Sequence, residues 1–177
     1  MTFNLVEELQ ELPYFDQHVV SYLELRKQKY TGCNPRGLII ARDKALTKKV
    51  LAYHRIRVPR FTVVPNRKKV SIPKRLRFPI FIKPLNVEGS EGVANASLVR
   101  DMDRLAERVN FIHEKVNAPA LIEEFIEGRE IYVGAYGNEQ LTVLPAWELT
   151  MSKPADGSPL IPTDRQNGTL STKRSLD

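Results

Sequence analysis

A hairpin signal near residue 137 constrains the fold of this chain more than any other feature. The β-type run 131–136 is followed by Gly137-Asn138 and then by a second apolar run over 141–145. Two such runs joined by a turn-forming pair are typical of an antiparallel hairpin. The sequence therefore predicts antiparallel strands in this part of the chain.

Helical and strand patterns are mixed in the rest of the sequence. Apolar periodicity predicts three helices, over residues 16–28, from the N-cap residue Asp43 to a point before Val58-Pro59, and over 105–112. Further β-type runs lie at 61–64, 78–83 and 120–123. Helices combined with antiparallel strands predict the α+β class.

Several classes of protein are excluded by composition. No stretch approaches the roughly 18 uninterrupted apolar residues of a membrane-spanning helix. Acids at Glu7 and Glu8 stand where a secretory signal has an apolar run, so we expect a cytoplasmic protein with no membrane partner. The single cysteine, Cys33, excludes an internal disulfide and is expected to be a buried thiol. The three histidines lack the spacing of a zinc site.

The net charge of +6 hides a strong asymmetry along the chain. Residues 42–83 hold 14 lysines and arginines against one acid, whereas residues 84–150 hold 12 acids against 5 basic residues. A concentrated positive segment is typical of a nucleic-acid surface or of a site for a compact polyanion such as a nucleoside triphosphate. Charge alone leaves both partners open.

Two lysines in this segment occupy positions suited to phosphate binding. Lys44 follows Asp43 at the start of a predicted helix. Lys83 ends a predicted strand and precedes the loop 88–93, Glu-Gly-Ser-Glu-Gly-Val. Glycines in such a loop let backbone amides approach phosphate oxygens, and the Ser90 hydroxyl adds a donor. Taken singly, these features are more typical of a solvated lysine and of an ordinary loop, since the loop lacks the fixed spacing of a P-loop.

A third feature is the acidic segment 121–130, Leu-Ile-Glu-Glu-Phe-Ile-Glu-Gly-Arg-Glu. A strand ending in carboxylates and followed by a short apolar connection can line an adenosine pocket. Backbone groups would contact the base edge, Phe125 or Ile126 would pack near the ring, and Glu130 would accept hydrogen bonds from ribose hydroxyls. By itself the segment is more typical of an acidic, solvated hairpin.

The order of these three features resembles the ATP-grasp superfamily, and most closely its D-alanine–D-alanine ligase-like branch. The resemblance begins at residues 3–8, Phe-Asn-Leu-Val-Glu-Glu, passes through 30–35, Tyr-Thr-Gly-Cys-Asn-Pro, and ends at 143–148, Val-Leu-Pro-Ala-Trp-Glu. It implies an α+β ATP-grasp fold, incomplete here, with the N-terminal lobe and the start of the second lobe. The residues it implies for ATP binding are Lys44, Lys83, Ser90, Glu123, Glu124, Phe125, Ile126 and Glu130.

The resemblance also implies a role for each part of this set. Lys44 and Lys83 would reach the phosphates, and the loop 88–93 would close over them. Glu123, the backbone of 124–126 and Glu130 would hold adenine and ribose. In this family ATP drives the joining of a small carboxylate to an amine through an acyl phosphate, with Mg²⁺ neutralising the transferring charge. ATP, a carboxylate and an amine are therefore the expected partners.

The chain departs from the family pattern in three places. Family members carry a further domain before the Phe-Asn motif and place their magnesium-binding acids after Glu148, so the resemblance assigns no metal ligand here. The Glu-Gly pair of the loop also lies one place later relative to Lys83. We expect residues 1–41 to be a remnant of the preceding domain, 42–150 a partial ATP-grasp domain that is inactive alone, and 151–177 a disordered tail.

The tail also suggests a shifted reading frame. Residues 166–177 can be back-translated so that the codons, read two bases later, spell Lys-Trp-Asp-Ala-Lys-Tyr-Gln-Glu-Lys-Leu-Gly. Close relatives carry a Lys-Trp-Asp-x-Lys-Tyr-Gln pattern after the Trp-Glu strand. We hypothesise that the chain is out of frame from about residue 166. Coding DNA whose codons do not yield the shifted frame would contradict this.

Three function classes remain open at this point. The leading one is an ATP-binding fragment of a carboxylate–amine ligase, and the second is a nucleotide-binding remnant without catalysis. The third is a basic nucleic-acid module, which is less expected because few aromatic residues accompany the charges. That module would use Arg55, Arg57, Arg60, Arg67, Lys68, Lys69, Lys74, Arg75 and Arg77.

Overall fold

The computed structural model describes residues 1–10, 12–87, 95–150 and 171–174. Within them, the α-helices are α1 (Asp16–Leu25), α2 (Pro35–Arg42), α3 (Lys44–Tyr53) and α4 (Met102–Phe111). The strands are β1 (Phe61–Val64), β2 (Ile80–Pro84), β3 (Leu98–Val99), β4 (Ala120–Glu124), β5 (Glu130–Tyr132), β6 (Ala135–Gly137), β7 (Leu141–Val143), β8 (Trp147–Thr150) and β9 (Ser171–Arg174). Helices and antiparallel strands confirm the α+β class.

Helix α2 was not predicted from the sequence. Its N-cap, Asn34, accepts a hydrogen bond from the Gly37 amide at 2.9 Å, and Pro35 occupies the first helical position, where a missing amide costs nothing. Asp43 alone separates α2 from α3. Its carboxylate accepts from the amides of Ala45 and Leu46, both at 2.9 Å, so the predicted start of α3 is confirmed.

The Asp43 cap gives a first testable prediction. Asp43→Ala should destabilise the protein by about 1 kcal/mol, because two amides of the first turn of α3 lose their acceptor. Thermal unfolding followed by circular dichroism measures the change. Asp43→Asn keeps a capping oxygen and should cost much less. If the asparagine variant is as unstable as the alanine variant, loss of the cap is not the cause.

A four-stranded antiparallel sheet in the order β1-β4-β2-β3 forms the centre of the structure. One face packs on α4 through a fully buried stripe, Leu105 and Val109, which contacts the same core as Ile80, Ile82 and Ile122. The spacing of that stripe is the predicted helical period. Since side chains alternate along a strand, the neighbours of Ile122 on β4 point to the other face of the sheet.

That second face is covered partly by α3. Ala45 of α3 packs against Leu121 of β4 and Leu85, which follows β2, with Phe61 and Val63 at the border. Two residues along β4 from Leu121, the same face presents Glu123, which is only 6% exposed. A largely buried carboxylate therefore lies beside the packed patch under α3.

The predicted hairpin is confirmed, because β6 and β7 pair antiparallel and Gly137 ends β6. Gly137 has φ +125°, and a Cβ there would lie 2.1 Å from the Gln140 carbonyl oxygen, so a side chain cannot fit. The predicted single strand 131–136 is wrong. It divides into β5, which pairs with β8, and β6, since the chain passes from one sheet into another at 133–134.

The structure also bears on the expectations for Cys33, the C-terminal tail and membrane-spanning helices. Cys33 is exposed, so the expectation of a buried thiol is wrong. Ser171–Arg174 form β9 on β8, which differs from the disorder expected for those four residues. The rest of the tail lies outside the described residues. Within the described part of the chain, no helix is both long and apolar enough to span a membrane.

Candidate functional site

Glu123 is the centre of a compact charged group on the α3 side of the sheet. Lys83 Nζ lies 2.6 Å from one carboxylate oxygen, Oε1, and Lys48 Nζ lies 2.7 Å from the other, Oε2. The three side chains are largely buried, at 8% exposure for Glu123, 13% for Lys48 and 25% for Lys83. Each oxygen of a single carboxylate thus lies within ion-pair distance of its own ammonium group, although Oε2 has no hydrogen-bond partner among the described residues.

Strand register brings these residues together. Glu123 lies opposite Phe61 of β1 on one side and opposite Phe81 of β2 on the other. The Lys48 ammonium lies 5.8 Å from the centre of the Phe61 ring, and the Lys83 ammonium lies 6.0 Å from that of Phe81. The two rings therefore flank the carboxylate, and each lies near one of the two ammonium groups.

Lys44 lies one helical turn before Lys48 on α3, so the two side chains share a face of the helix. Its ammonium donates to the carbonyl oxygens of Leu85 at 3.2 Å and Val87 at 2.5 Å. Lys44 is thus bonded to the chain that leaves β2 and enters the segment 88–94. Ser90 and the predicted loop 88–93 lie outside the described residues.

We call Lys44, Lys48, Lys83 and Glu123 the lysine–glutamate cluster. Three ammonium groups and one carboxylate give it two excess positive charges in a partly buried setting. Positive charge of this kind attracts a compact polyanion, and it acts more strongly where water is partly excluded. The cluster therefore has the charge and the donors needed to hold phosphate groups.

The residues after Glu123 occupy the end of β4. The Glu124 amide donates to the Arg60 carbonyl oxygen at 2.9 Å, and the Phe125 amide donates to that of Pro79 at 3.4 Å. Phe125 is half-buried and Ile126 is exposed. Both amides are therefore hydrogen-bonded to backbone carbonyl groups of the protein. The exposed part of the predicted adenosine segment begins at Ile126.

Glu130 lies in a different sheet, on β5, and is exposed. Its carboxylate accepts a hydrogen bond from the Tyr132 hydroxyl at 2.9 Å. That bond, with a smaller contribution from burial, raises the pKa of Tyr132 above its ordinary value. Tyr132 therefore stays protonated and remains a donor to Glu130 at neutral pH.

Sequence reasoning placed Lys83 and Glu123 in one site, and the structure brings their side chains into contact. It missed Lys48. The signal was present, because Lys48 follows Lys44 by four residues and so shares its helix face. No group of three or more His, Cys, Asp and Glu side chains within the described residues could hold a metal ion.

Several known proteins resemble this chain in both sequence and fold. The family model of the D-ala D-ala ligase C-terminus matches residues 44–155. An uncharacterised protein of Sinorhizobium fredii is 34% identical over 153 residues, which are 86% of this chain and 44% of that protein. A D-alanine–D-alanine ligase of Natranaerobius thermophilus is 32% identical over 132 residues, which are 70% of this chain and 35% of that enzyme.

Solved structures agree on the fold. The D-alanine–D-alanine ligase of Bacillus anthracis complexed with ATP superposes with a TM-score of 0.64 at 24% identity, over 81% of this chain and 48% of that one. The VanG D-Ala:D-Ser ligase of Enterococcus faecalis gives 0.66 at 20% identity, over 89% and 44%. The chain spans less than half the length of these relatives.

These matches confirm the expected ATP-grasp fold, of which this chain covers only a part. The family model alone spans more than half of the chain and includes every member of the lysine–glutamate cluster. The chain therefore belongs to the ATP-grasp family of D-alanine–D-alanine ligase-like proteins.

Proposed function

We propose that this chain binds ATP at the lysine–glutamate cluster and forms the nucleotide-binding part of a carboxylate–amine ligase of the D-alanine–D-alanine ligase type. The observation that carries the proposal is the contact of Lys83 and Lys48 with Glu123, at 2.6 and 2.7 Å, on a partly buried face of the sheet. Ammonium groups that suit phosphates and a carboxylate that suits a base then lie close together, and this supports the proposal.

The roles follow from the donors and acceptors present. Lys44 and Lys83 supply ammonium groups for the phosphates, with Ser90 as a further donor. The Glu123 carboxylate accepts from the exocyclic amine of adenine, and the chain at Glu124, Phe125 and Ile126 borders the base. Glu130 accepts from the ribose hydroxyls.

The proposed chemistry is acyl activation by phosphoryl transfer. The carboxylate of the first substrate attacks the γ-phosphate of ATP, so that an acyl phosphate forms and ADP leaves. The amine of the second substrate then attacks the acyl carbon and expels inorganic phosphate, and the amine loses a proton. Lysines at the phosphates lower the barrier by neutralising charge that develops there.

Magnesium accompanies ATP in this family, but the described residues do not offer a group of carboxylates that fits it. A second candidate function is a nucleotide-binding chain that does not catalyse ligation by itself.

One set of titrations tests the proposal. We expect saturable binding of ATP with Mg²⁺ by calorimetry, and ADP release upon addition of D-alanine only if the chain also catalyses. Binding of a single-stranded oligonucleotide is measured in parallel at about 50 and 200 mM salt, where a purely phosphate-driven complex with 6–10 contacts loses roughly 10³–10⁵ in affinity. Steeply salt-dependent oligonucleotide binding without saturable ATP binding would overturn the proposal and support the nucleic-acid module.

A further inference from the structure

Lys48 is the member of the lysine–glutamate cluster to which the proposed function assigns no contact with the nucleotide. Its side chain is 13% exposed, its ammonium contacts Glu123 Oε2 at 2.7 Å, and it lies over the Phe61 ring. A lysine buried to this degree on a helix that is otherwise half-exposed loses hydration and rotamer freedom. Such a cost indicates a specific structural or functional need.

That need arises from the two tasks of Lys83. Without nucleotide, Lys83 neutralises Glu123 at 2.6 Å. When Lys83 turns towards phosphate, Glu123 loses one of its two partners, and a carboxylate that is 8% exposed cannot replace that partner fully with water. Lys48 is the less exposed of the two lysines and is held on the far oxygen, so it can stay in place during this exchange.

We propose that Lys48 is a positioning residue for Glu123. It holds Oε2 and supplies the countercharge while Lys83 moves to the phosphates, which leaves Oε1 directed at the base. Lys48 thereby sets the preference of the site for adenine over a 6-oxopurine. The inference rests on the proposed function, because it requires the nucleotide to bind at this cluster.

The base preference follows from simple complementarity. Adenine presents an amine donor to a carboxylate oxygen, whereas hypoxanthine presents a carbonyl oxygen at the same place, so that two acceptors face each other. A buried acceptor left without its donor disfavours binding by a factor of about ten or more. We therefore expect the wild type to bind ATP at least about tenfold more tightly than ITP.

Lys48→Met should reduce that preference and the affinity together. With Lys48 absent, Glu123 depends on Lys83 alone, so Lys83 is not released to the phosphates and Oε1 is not presented to the base. We expect ATP affinity to fall about tenfold or more and the ATP-to-ITP ratio to approach one. Lys49→Ala is the matched control, since Lys49 is the adjacent lysine of α3 and is exposed; it should change neither quantity.

Two further variants separate positioning from simple packing. Lys48→Arg keeps the charge and should restore most of the ATP-to-ITP ratio. In a Glu123→Gln background, adding Lys48→Met should not change the ratio further, because the residue acts through the carboxylate. If Lys48→Met does not fold, as judged by circular dichroism, Lys48→Gln takes its place in both comparisons.

The possible failures are distinguishable. A wild-type chain that binds neither ATP nor ITP overturns the proposed function. A wild type that prefers ATP, together with a Lys48→Met variant that folds and keeps the full ATP-to-ITP ratio, overturns the inference about Lys48 alone. An unchanged ratio with weaker binding of both nucleotides would show that Lys48 contributes charge only, and this also overturns the positioning role.

Discussion

Lys83→Ala is expected to weaken ATP binding at least about tenfold. A hydrogen bond between charged partners contributes roughly 1.5–3 kcal/mol, and each 1.4 kcal/mol is a factor of ten in affinity. Lys83 stands near the end of β2, directly before the chain that contacts Lys44, and in the proposed site its ammonium binds the phosphates. The dissociation constant for ATP with Mg²⁺, measured by calorimetry, gives the result.

The variant should fold, because Glu123 keeps its contact with Lys48 at 2.7 Å. Lys74→Ala is the control. It removes the same charge from the same basic segment at an exposed position, so it should change ATP affinity less than about twofold. Equal losses in the two variants would show that ATP senses only the net charge of the chain, and the proposed site would then be wrong.

Those parts of the fold that depend on local signals could be predicted from the sequence. Asp43 caps α3 with its own side chain, and Gly137, at the predicted turn, lies where a Cβ cannot fit. Helix α2 was not predicted because its sequence lacks a clear helical pattern. Gly37 lies inside it, its apolar residues are contiguous, and the Asn34-Pro35 pair is equally typical of a turn.

The candidate site could be predicted only in part, because its burial is not a local property. In the sequence, Glu123 belongs to an acidic run, which suggests a solvated hairpin. It is buried because β4 lies between β1 and β2, so that Phe61 and Phe81 flank it. Pairing across strands that are about 40 and 60 residues away cannot be derived from periodicity. The resemblance supplied Lys83 and Glu123 by motif, and Lys48, which belongs to no quoted motif, was missed.

Packing between the first two helices leads to the second large prediction. Arg42 at the end of α2 contacts Asp16 at the start of α1 at 2.6 Å, and their side chains are 10% and 8% exposed. The pair links the two segments, 1–41 and 42–150, that we predict to be separate parts of the chain. Its loss should therefore destabilise the region that carries α3 as well as the helices before it, since only Asp43 separates Arg42 from α3.

Asp16→Ala should lower the free energy of unfolding by about 3 kcal/mol, because a guanidinium that is nearly buried loses its carboxylate countercharge. For a chain of this size the corresponding fall in Tm is roughly 6–12 °C, measured by thermal unfolding. Glu107→Ala is the control, since it breaks the Arg104–Glu107 pair, whose side chains are 70% and 71% exposed, and should cost less than about 0.5 kcal/mol.

The double variant Asp16→Ala with Arg42→Met removes both charges and should recover more than half of the lost stability. Equal small shifts for Asp16→Ala and Glu107→Ala would mean that the α1–α2 pair behaves as an ordinary surface ion pair and does not link the two segments.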